Sequence, residues 1–132
     1  MTSLLLDTHV LIWWLEKSAR LGPRAKKILL SPATRTVVSA ASIWEIAIKA
    51  GSNRLDLADR LEEWVPRLSS DWGVHSLPIT LEHATIIGSL ARHHADPFDR
   101  ILVAQAQCEG LTILTVDPAI TAYDVRTLDA SA

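Results

Sequence analysis

Cysteine, positive charge and long apolar runs are all scarce in this chain of 132 residues. The one cysteine, Cys108, has no second thiol to join, which excludes a disulfide-stapled scaffold. Lys and Arg number 13 against 15 Asp and Glu, a net charge of −2, so a strongly basic nucleic-acid coat is excluded, though a local basic patch is not. No apolar run approaches the ~18 residues that a membrane span needs. The start, Met1-Thr2-Ser3-Leu4-Leu5-Leu6-Asp7, lacks the basic n-region of a signal peptide. Gly and Pro are sparse and sit at plausible element boundaries, and there is no repeat, linker or low-complexity stretch. What remains is an ordinary globular balance of 48% hydrophobic and 21% charged residues. One soluble, cytoplasmic domain over residues 1–132 is the expectation.

Short apolar runs alternate with helical patterns. Ser3–Leu6, Thr36–Ser39, Val74–Pro78 and Leu111–Val116 read as strands, with Val125–Leu128 as a last edge strand. Helices are expected over Thr8–Glu16, from Pro23 to Leu30, and over Ala40–Ala50 before Gly51. Ala58–Trp72 is helical in pattern, with Pro66 a mark against a straight helix. Thr80 is placed to cap a helix through Leu90, and Asp96-Pro97 to open one that runs to Glu109 and stops at Gly110. Pro118 begins a short helix. The alternation predicts an α/β fold: a central, mainly parallel sheet flanked by helices in three layers, α/β/α. Ligands bind such sheets beyond the carboxyl ends of the strands.

The acids fall at that edge. Asp7 follows the first strand and Asp117 the Leu111–Val116 strand. Glu45 lies in the second turn of the helix after Thr36–Ser39, and Asp96 and Asp99 begin the helix before Leu111–Val116. Two carboxylates about 4 Å apart repel by ~4 kcal/mol at an effective dielectric of about 20. A cluster of them calls for protons, a Lys or Arg, or a divalent cation, and oxygen ligands without cysteine suit Mg²⁺ or Mn²⁺. Each acid also has a plainer use. Asp7, Asp96 and Asp117 are placed to cap helices, and Asp99 suits a helix dipole. Glu45 resists that reading, because Ile43, Trp44, Ile46, Ala47 and Ile48 surround it. Its plainer alternative is an exposed position paired with Lys49, one turn on.

Other residues say less. His93-His94 invites a zinc reading, but no His-x-x-x-His or Cys pair supports it. His9 lies close to Asp7 without a defined role, and His75 and His83 show no partner. Cys108 reads as core. Lys17, Arg20, Arg24, Lys26 and Lys27 form an acid-free basic run, which suits phosphate contacts or simply a solvated helix face. Trp13, Trp14 and Trp44 read as core or interface. There is no Gly-rich phosphate loop and no Gly-x-Ser-x-Gly elbow.

Four segments together resemble the PIN-domain family, and within it the VapC-type toxins. They are Leu4-Leu5-Leu6-Asp7-Thr8-His9, Ser42-Ile43-Trp44-Glu45-Ile46, Asp96-Pro97-Phe98-Asp99-Arg100 continuing to Ala106, and Leu114-Thr115-Val116-Asp117. The resemblance covers essentially the whole chain. It implies a metal-dependent endoribonuclease that cleaves RNA with a metal-activated water. The family's acidic quartet maps onto Asp7, Glu45, Asp99 and Asp117, which would hold one or two Mg²⁺ or Mn²⁺ ions. Asp99 is the third acid because the Asp-x-x-x-x-Ala pattern falls on Asp99–Ala104. Asp96 is an auxiliary acid, and Thr8 and Thr115 match supporting hydroxyl positions. Lys17, Arg20, Arg24, Lys26, Lys27 and Arg100 are candidates for RNA contact.

The resemblance also implies partners: a VapB-like antitoxin whose tail enters the acidic groove, and a second copy of the chain in a homodimer. Two other functions compete. One is a non-catalytic binding module on the same fold, acting in a repressor complex with the acids as caps only. The other is a small phosphohydrolase, against which Asp7-Thr8-His9 lacks the second aspartate expected two positions on.

Overall fold

The computed structural model describes residues 2–49, 60–93 and 95–132. Five strands form one sheet in the order β3-β2-β1-β4-β5, every neighbouring pair parallel. The strands are β1 (Thr2–Leu6), β2 (Thr34–Ser39), β3 (His75–Leu77), β4 (Thr112–Thr115) and β5 (Thr127–Asp129). The helices, among the described residues, are α1 (Thr8–Leu15), α2 (Pro23–Leu30), α3 (Ala40–Lys49), α4 (Leu61–Ser70), α5 (Leu81–Ile87), α6 (Pro97–Glu109) and α7 (Pro118–Thr121).

Successive side chains of a strand point to opposite faces, and β1 shows what that does here. Leu4 and Leu6 join a core with Val10, Leu11, Leu29, Ile46 and Leu68, drawn from α1 to α4. Leu5, between them, joins a second core with Ile101, Leu102, Ala106 and Ile120, from α6 and α7. All three leucines are fully buried. A central parallel strand is covered on both faces, so it reads as a continuous apolar run. The result is the three-layer arrangement expected from the alternation of elements.

Most element ends agree with the sequence pattern. Gly110 ends α6 in the left-handed region, with φ 68°. Pro97 and Pro118 occupy first-turn positions behind capping aspartates. The sheet is parallel as expected, in every pair. Two details differ. Helix α5 stops at Ile87, with Gly88 as its cap, instead of reaching Leu90. Helix α4 continues through Pro66, which removes one donor toward the carbonyl of Glu62, a residue exposed to water. The expected helix start at Ala58 and the stop at Gly51 lie outside the described residues. No helix among the described residues is long and apolar enough to cross a membrane.

Candidate active site

The chain leaves β1 for β2 and β3 on one side and returns to β4 and β5 on the other. The crevice beyond the carboxyl ends of β1 and β4 is therefore the topological switch point. Asp7 follows β1 directly and Asp117 follows β4 by two residues. Backbone pairing carries past the strand end, since the Asp7 N–H donates to the Leu114 carbonyl at 3.1 Å. The Thr115 hydroxyl then joins the two acids. It donates to Asp7 Oδ2 at 2.7 Å and accepts the Asp117 N–H at 3.0 Å.

Glu45 comes to this place from α3. The Thr8 hydroxyl donates to Ser42 Oγ at 3.0 Å, tying the first turn of α1 to α3. Ser42 is three residues before Glu45 and so lies on the same helix face. Glu45 is 2% exposed. Its Oε2 accepts from Lys49 Nζ at 2.8 Å. The pairing with Lys49 is thus present, but on a buried carboxylate rather than an exposed one.

Helix α6 brings the last two acids. Trp44 and Phe98 meet edge to face, with ring centroids 5.1 Å apart. Phe98 lies between Pro97 and Asp99 in the first turn of α6. Asp96 caps the helix by accepting the Phe98 N–H at 2.9 Å. Both Asp96 and Asp99 act electrostatically on Lys49. Asp117 likewise caps α7, its Oδ1 accepting the Ala119 N–H at 2.8 Å. Asp7 is different: it sits at the N-cap position of α1, but its side chain makes no cap bond.

Charge and burial conflict at this site. Burial pushes the Asp7 carboxyl above its ordinary value. The Thr115 hydrogen bond and the charge of His9 act against that shift, and Asp117 adds to it. Lys49 is held above the usual lysine value by its hydrogen bond to Glu45, with Asp96 and Asp99 contributing. Asp7 Oδ1 and Glu45 Oε1 are both buried and have no hydrogen-bond partner. An unpartnered buried carboxylate oxygen is costly and calls for an explanation. A hard divalent cation fits these donors: all are oxygen, they come from four elements, and two of their buried oxygens lack a protein partner.

The remaining candidates fall elsewhere. Lys17, Arg20, Arg24, Lys26 and Lys27 are all exposed. The start of α2 is tied to the acidic edge, because Gly22 N–H donates to the Ala130 carbonyl and Ala130 N–H to the Thr115 carbonyl. Arg24 lies at that end, and Lys27 in the last turn of α2. Arg100 does not fit an RNA-facing role. Its guanidinium donates to the carbonyls of Ala91 and Ile87 and to the Tyr123 hydroxyl, bracing the turn after α5. His93 packs edge-on against Tyr123, and His94 lies outside the described residues.

His83, which shows no partner in the sequence, is fully buried and well bonded. Its Nδ1 accepts the Thr80 N–H at 3.1 Å, so Nε2 carries the proton that faces Glu109 Oε2 at 3.0 Å. His83, Cys108 and Glu109 lie close enough to share a metal ion. With the Nε2 proton held there, however, the imidazole offers that ion no lone pair. Cys108 is half-buried rather than core, and burial pushes its thiol up to about 11.

Comparison with known proteins agrees with the geometry. The family model for the PIN domain matches residues 4–126. The chain belongs to the PIN domain family. This PIN domain is 31% identical, over 124 residues and 93% of each chain, to a protein named ribonuclease VapC22 from Mycobacterium tuberculosis (strain ATCC 25618 / H37Rv). Its fold matches that in VapBC2 from Rickettsia felis bound to a promoter DNA fragment, with TM-score 0.72 and 12% identity, over 96% of this chain and 98% of that one. VapBC-1 from nontypeable Haemophilus influenzae matches with TM-score 0.69 and 16% identity, over 99% and 100%. The four segments that carry the sequence resemblance all lie within the matched residues.

Ser42 and Lys49 belong to the site although neither is an acid. Their signal in the sequence is helical spacing, three before and four after the glutamate.

Proposed function

We propose that this PIN domain, as one unit over residues 1–132, is a metal-dependent endoribonuclease and the toxin of a toxin–antitoxin pair. The observation that carries the proposal is the pair of buried, unpartnered carboxylate oxygens, Asp7 Oδ1 and Glu45 Oε1, among acids gathered at the sheet's switch point. Similarity to a protein named as a ribonuclease supports the substrate class. Asp7, Glu45, Asp99 and Asp117 would hold the ion, Mg²⁺ or Mn²⁺, with Asp96 beside them. When bound, the cation lowers the pKa of a water and offsets charge building on the phosphate.

The chain's own residues do the rest. Thr115 fixes the Asp7 carboxylate by donating to Oδ2, which leaves Oδ1 for a cation. The Thr8–Ser42 bond sets α3 against the start of α1 and so places Glu45. The first turn of α6 presents backbone N–H groups and a positive dipole end, which hold the anionic Asp96 and Asp99 in place. Exposed Arg24, at the end of α2 tied to this edge, and exposed Arg20, in the turn before that helix, suit contacts with the RNA backbone.

The similar folds solved as VapBC complexes support a VapB-like antitoxin partner. A toxin homodimer and a cytoplasmic setting belong to the same proposal, as what the family resemblance implies. A repressor module without catalysis would have no use for unpartnered buried acids, and that observation ranks it second. The test is cleavage of a mixed RNA by purified protein with Mg²⁺, Mn²⁺ or EDTA, beside Asp7→Asn and Glu45→Gln. Metal-dependent cleavage lost in both variants is expected. Equal cleavage by the variants, or none with any metal, would overturn the proposal.

A further inference from the structure

One of the five tryptophans stands apart from the rest. Trp13, Trp14, Trp64 and Trp72 all pack against the core formed with α1 to α4. Among the described residues, Trp44 joins neither core, and it is 56% exposed. Its ring meets Phe98, also outside both cores, with centroids 5.1 Å apart and planes at 85°. An edge-to-face contact leaves at least one face of the indole uncovered by its partner. The aromatic pair joins the same two helices that carry the acids. Trp44 precedes Glu45 on α3, and Phe98 precedes Asp99 on α6. The indole also walls a cleft of about 740 Å³ between α3, α4 and β3, together with Ala47, Val65 and Leu77. A cleft of that size has room for a flat ring.

We infer that Trp44, braced by Phe98, is a stacking platform for a nucleobase of single-stranded RNA beside the bond that is cut. This rests on the ribonuclease reading above and names how its substrate is held. A lone exposed apolar residue needs no explanation, but this one is paired with a second aromatic and flanked by two of the acids. The acidic edge repels phosphate. A Lys or Arg added there to attract it would pair with the acids instead, as Lys49 does with Glu45. A stacked base supplies attraction without charge, so it holds RNA beside the acids and leaves them for a cation. Single-stranded RNA presents the unstacked base faces that this needs, and stacking accepts any base because each has a π face. A protein partner on the same ring would use its apolar area and not its π face, and that difference sets the test.

The readout separates base from phosphate. The full chain carrying Asp7→Asn, so that RNA is bound and not cut, is titrated in Mg²⁺ against two labelled probes by fluorescence anisotropy. One probe is a short oligoadenylate, and the other an abasic ribose-phosphate oligomer of equal length. The parent is expected to prefer the oligoadenylate. Trp44→Leu keeps apolar bulk and loses the π face, and it is expected to cut that preference at least about fivefold while abasic binding stays unchanged. Trp44→Ala should repeat the loss, and Trp44→Tyr should retain most of the preference. Melting curves and sedimentation accompany each variant. No preference in the parent, an undiminished preference in the leucine and alanine variants, or an equal loss for both probes would overturn the inference and leave the ribonuclease standing. A dimer that Trp44→Leu dissociates would do the same, because a second copy would then cover this ring. Binding of neither probe by any of these proteins would overturn the RNA reading and the inference with it.

Discussion

Thr115 carries the sharpest test of how the site is held together. Its hydroxyl is 2% exposed, donates to Asp7 and accepts from Asp117, and no other side chain bonds to Asp7 Oδ2 among the described residues. Thr115→Val keeps the shape and removes both bonds. A hydrogen bond to a charged group contributes roughly 1.5–3 kcal/mol, and a neutral one about 1 kcal/mol. The extra buried methyl of valine offsets about 0.8 kcal/mol of that loss. A net destabilisation of about 2–3 kcal/mol follows, or a melting point lower by roughly 6–15 °C for a domain of this size.

Function should fall further than stability alone explains. Losing a partner that orients a metal-binding group typically costs 10–100-fold in affinity or activity. Thr115→Ser retains the hydroxyl and loses only a buried methyl, about 1 kcal/mol. The assay is RNA cleavage at saturating Mn²⁺ and at a temperature where all three proteins are folded, with melting curves beside it. A valine variant that cleaves within twofold of the wild type, while serine behaves no better, would refute the claim that this hydroxyl sets the Asp7 carboxylate.

Three further outcomes follow from the structure. Asp7 is raised by burial, so its favourable contribution is fully present below the ordinary carboxyl value of 3.8 and is lost as pH rises through the shifted value. Asp7→Asn should therefore melt higher than the metal-free wild type, by a margin that grows as pH is raised from 4 and then levels off; a margin that is constant with pH would contradict this. Gly22 admits no Cβ, because one would collide with the backbone oxygens of Ala132 and Ser131. Gly22→Ala should cost about 1–3 kcal/mol in denaturant titrations, and deleting Ser131 and Ala132 should remove most of the difference. Arg100→Lys cannot reproduce three hydrogen bonds from one planar fork, so it should lower the melting point while leaving the salt dependence of RNA binding unchanged.

The positions of the acids could be read from the sequence because each is anchored to an element boundary. A strand of leucines ends at Asp7, Pro97 follows Asp96, and Pro118 follows Asp117, and such boundaries are written locally. The partners could not be read so easily. Asp7 and Thr115 are 108 residues apart, and only the placing of β4 beside β1 brings them together. His83 and Glu109 are 26 apart and meet because α5 packs on α6. The partners of Arg100 are also distant in sequence: successive residues on a helix point about 100° apart, and while Asp99 begins α6, the Arg100 guanidinium turns back to the end of α5.

Asp96 and Asp117 also show why helix cap and proposed cation ligand are not rival descriptions. Capping needs one acceptor oxygen, and a carboxylate has two, with about four lone-pair sites between them. Asp96 and Asp117 each commit Oδ1 to a backbone N–H two residues on. That bond fixes the carboxyl's orientation at a helix N-terminus, which leaves Oδ2 directed by the cap. The same logic governs Asp7, where Thr115 takes Oδ2 and leaves Oδ1 buried without a partner, and Glu45, where Lys49 takes Oε2 and leaves Oε1. In all four residues one oxygen is pinned by the protein. A carboxylate that is free to rotate makes a poor ligand, and one held by a hydrogen bond keeps further lone pairs for a cation. A helix cap therefore orients a carboxyl group without using all of its lone pairs, so the same acid can cap a helix and, on the proposal above, face a cation.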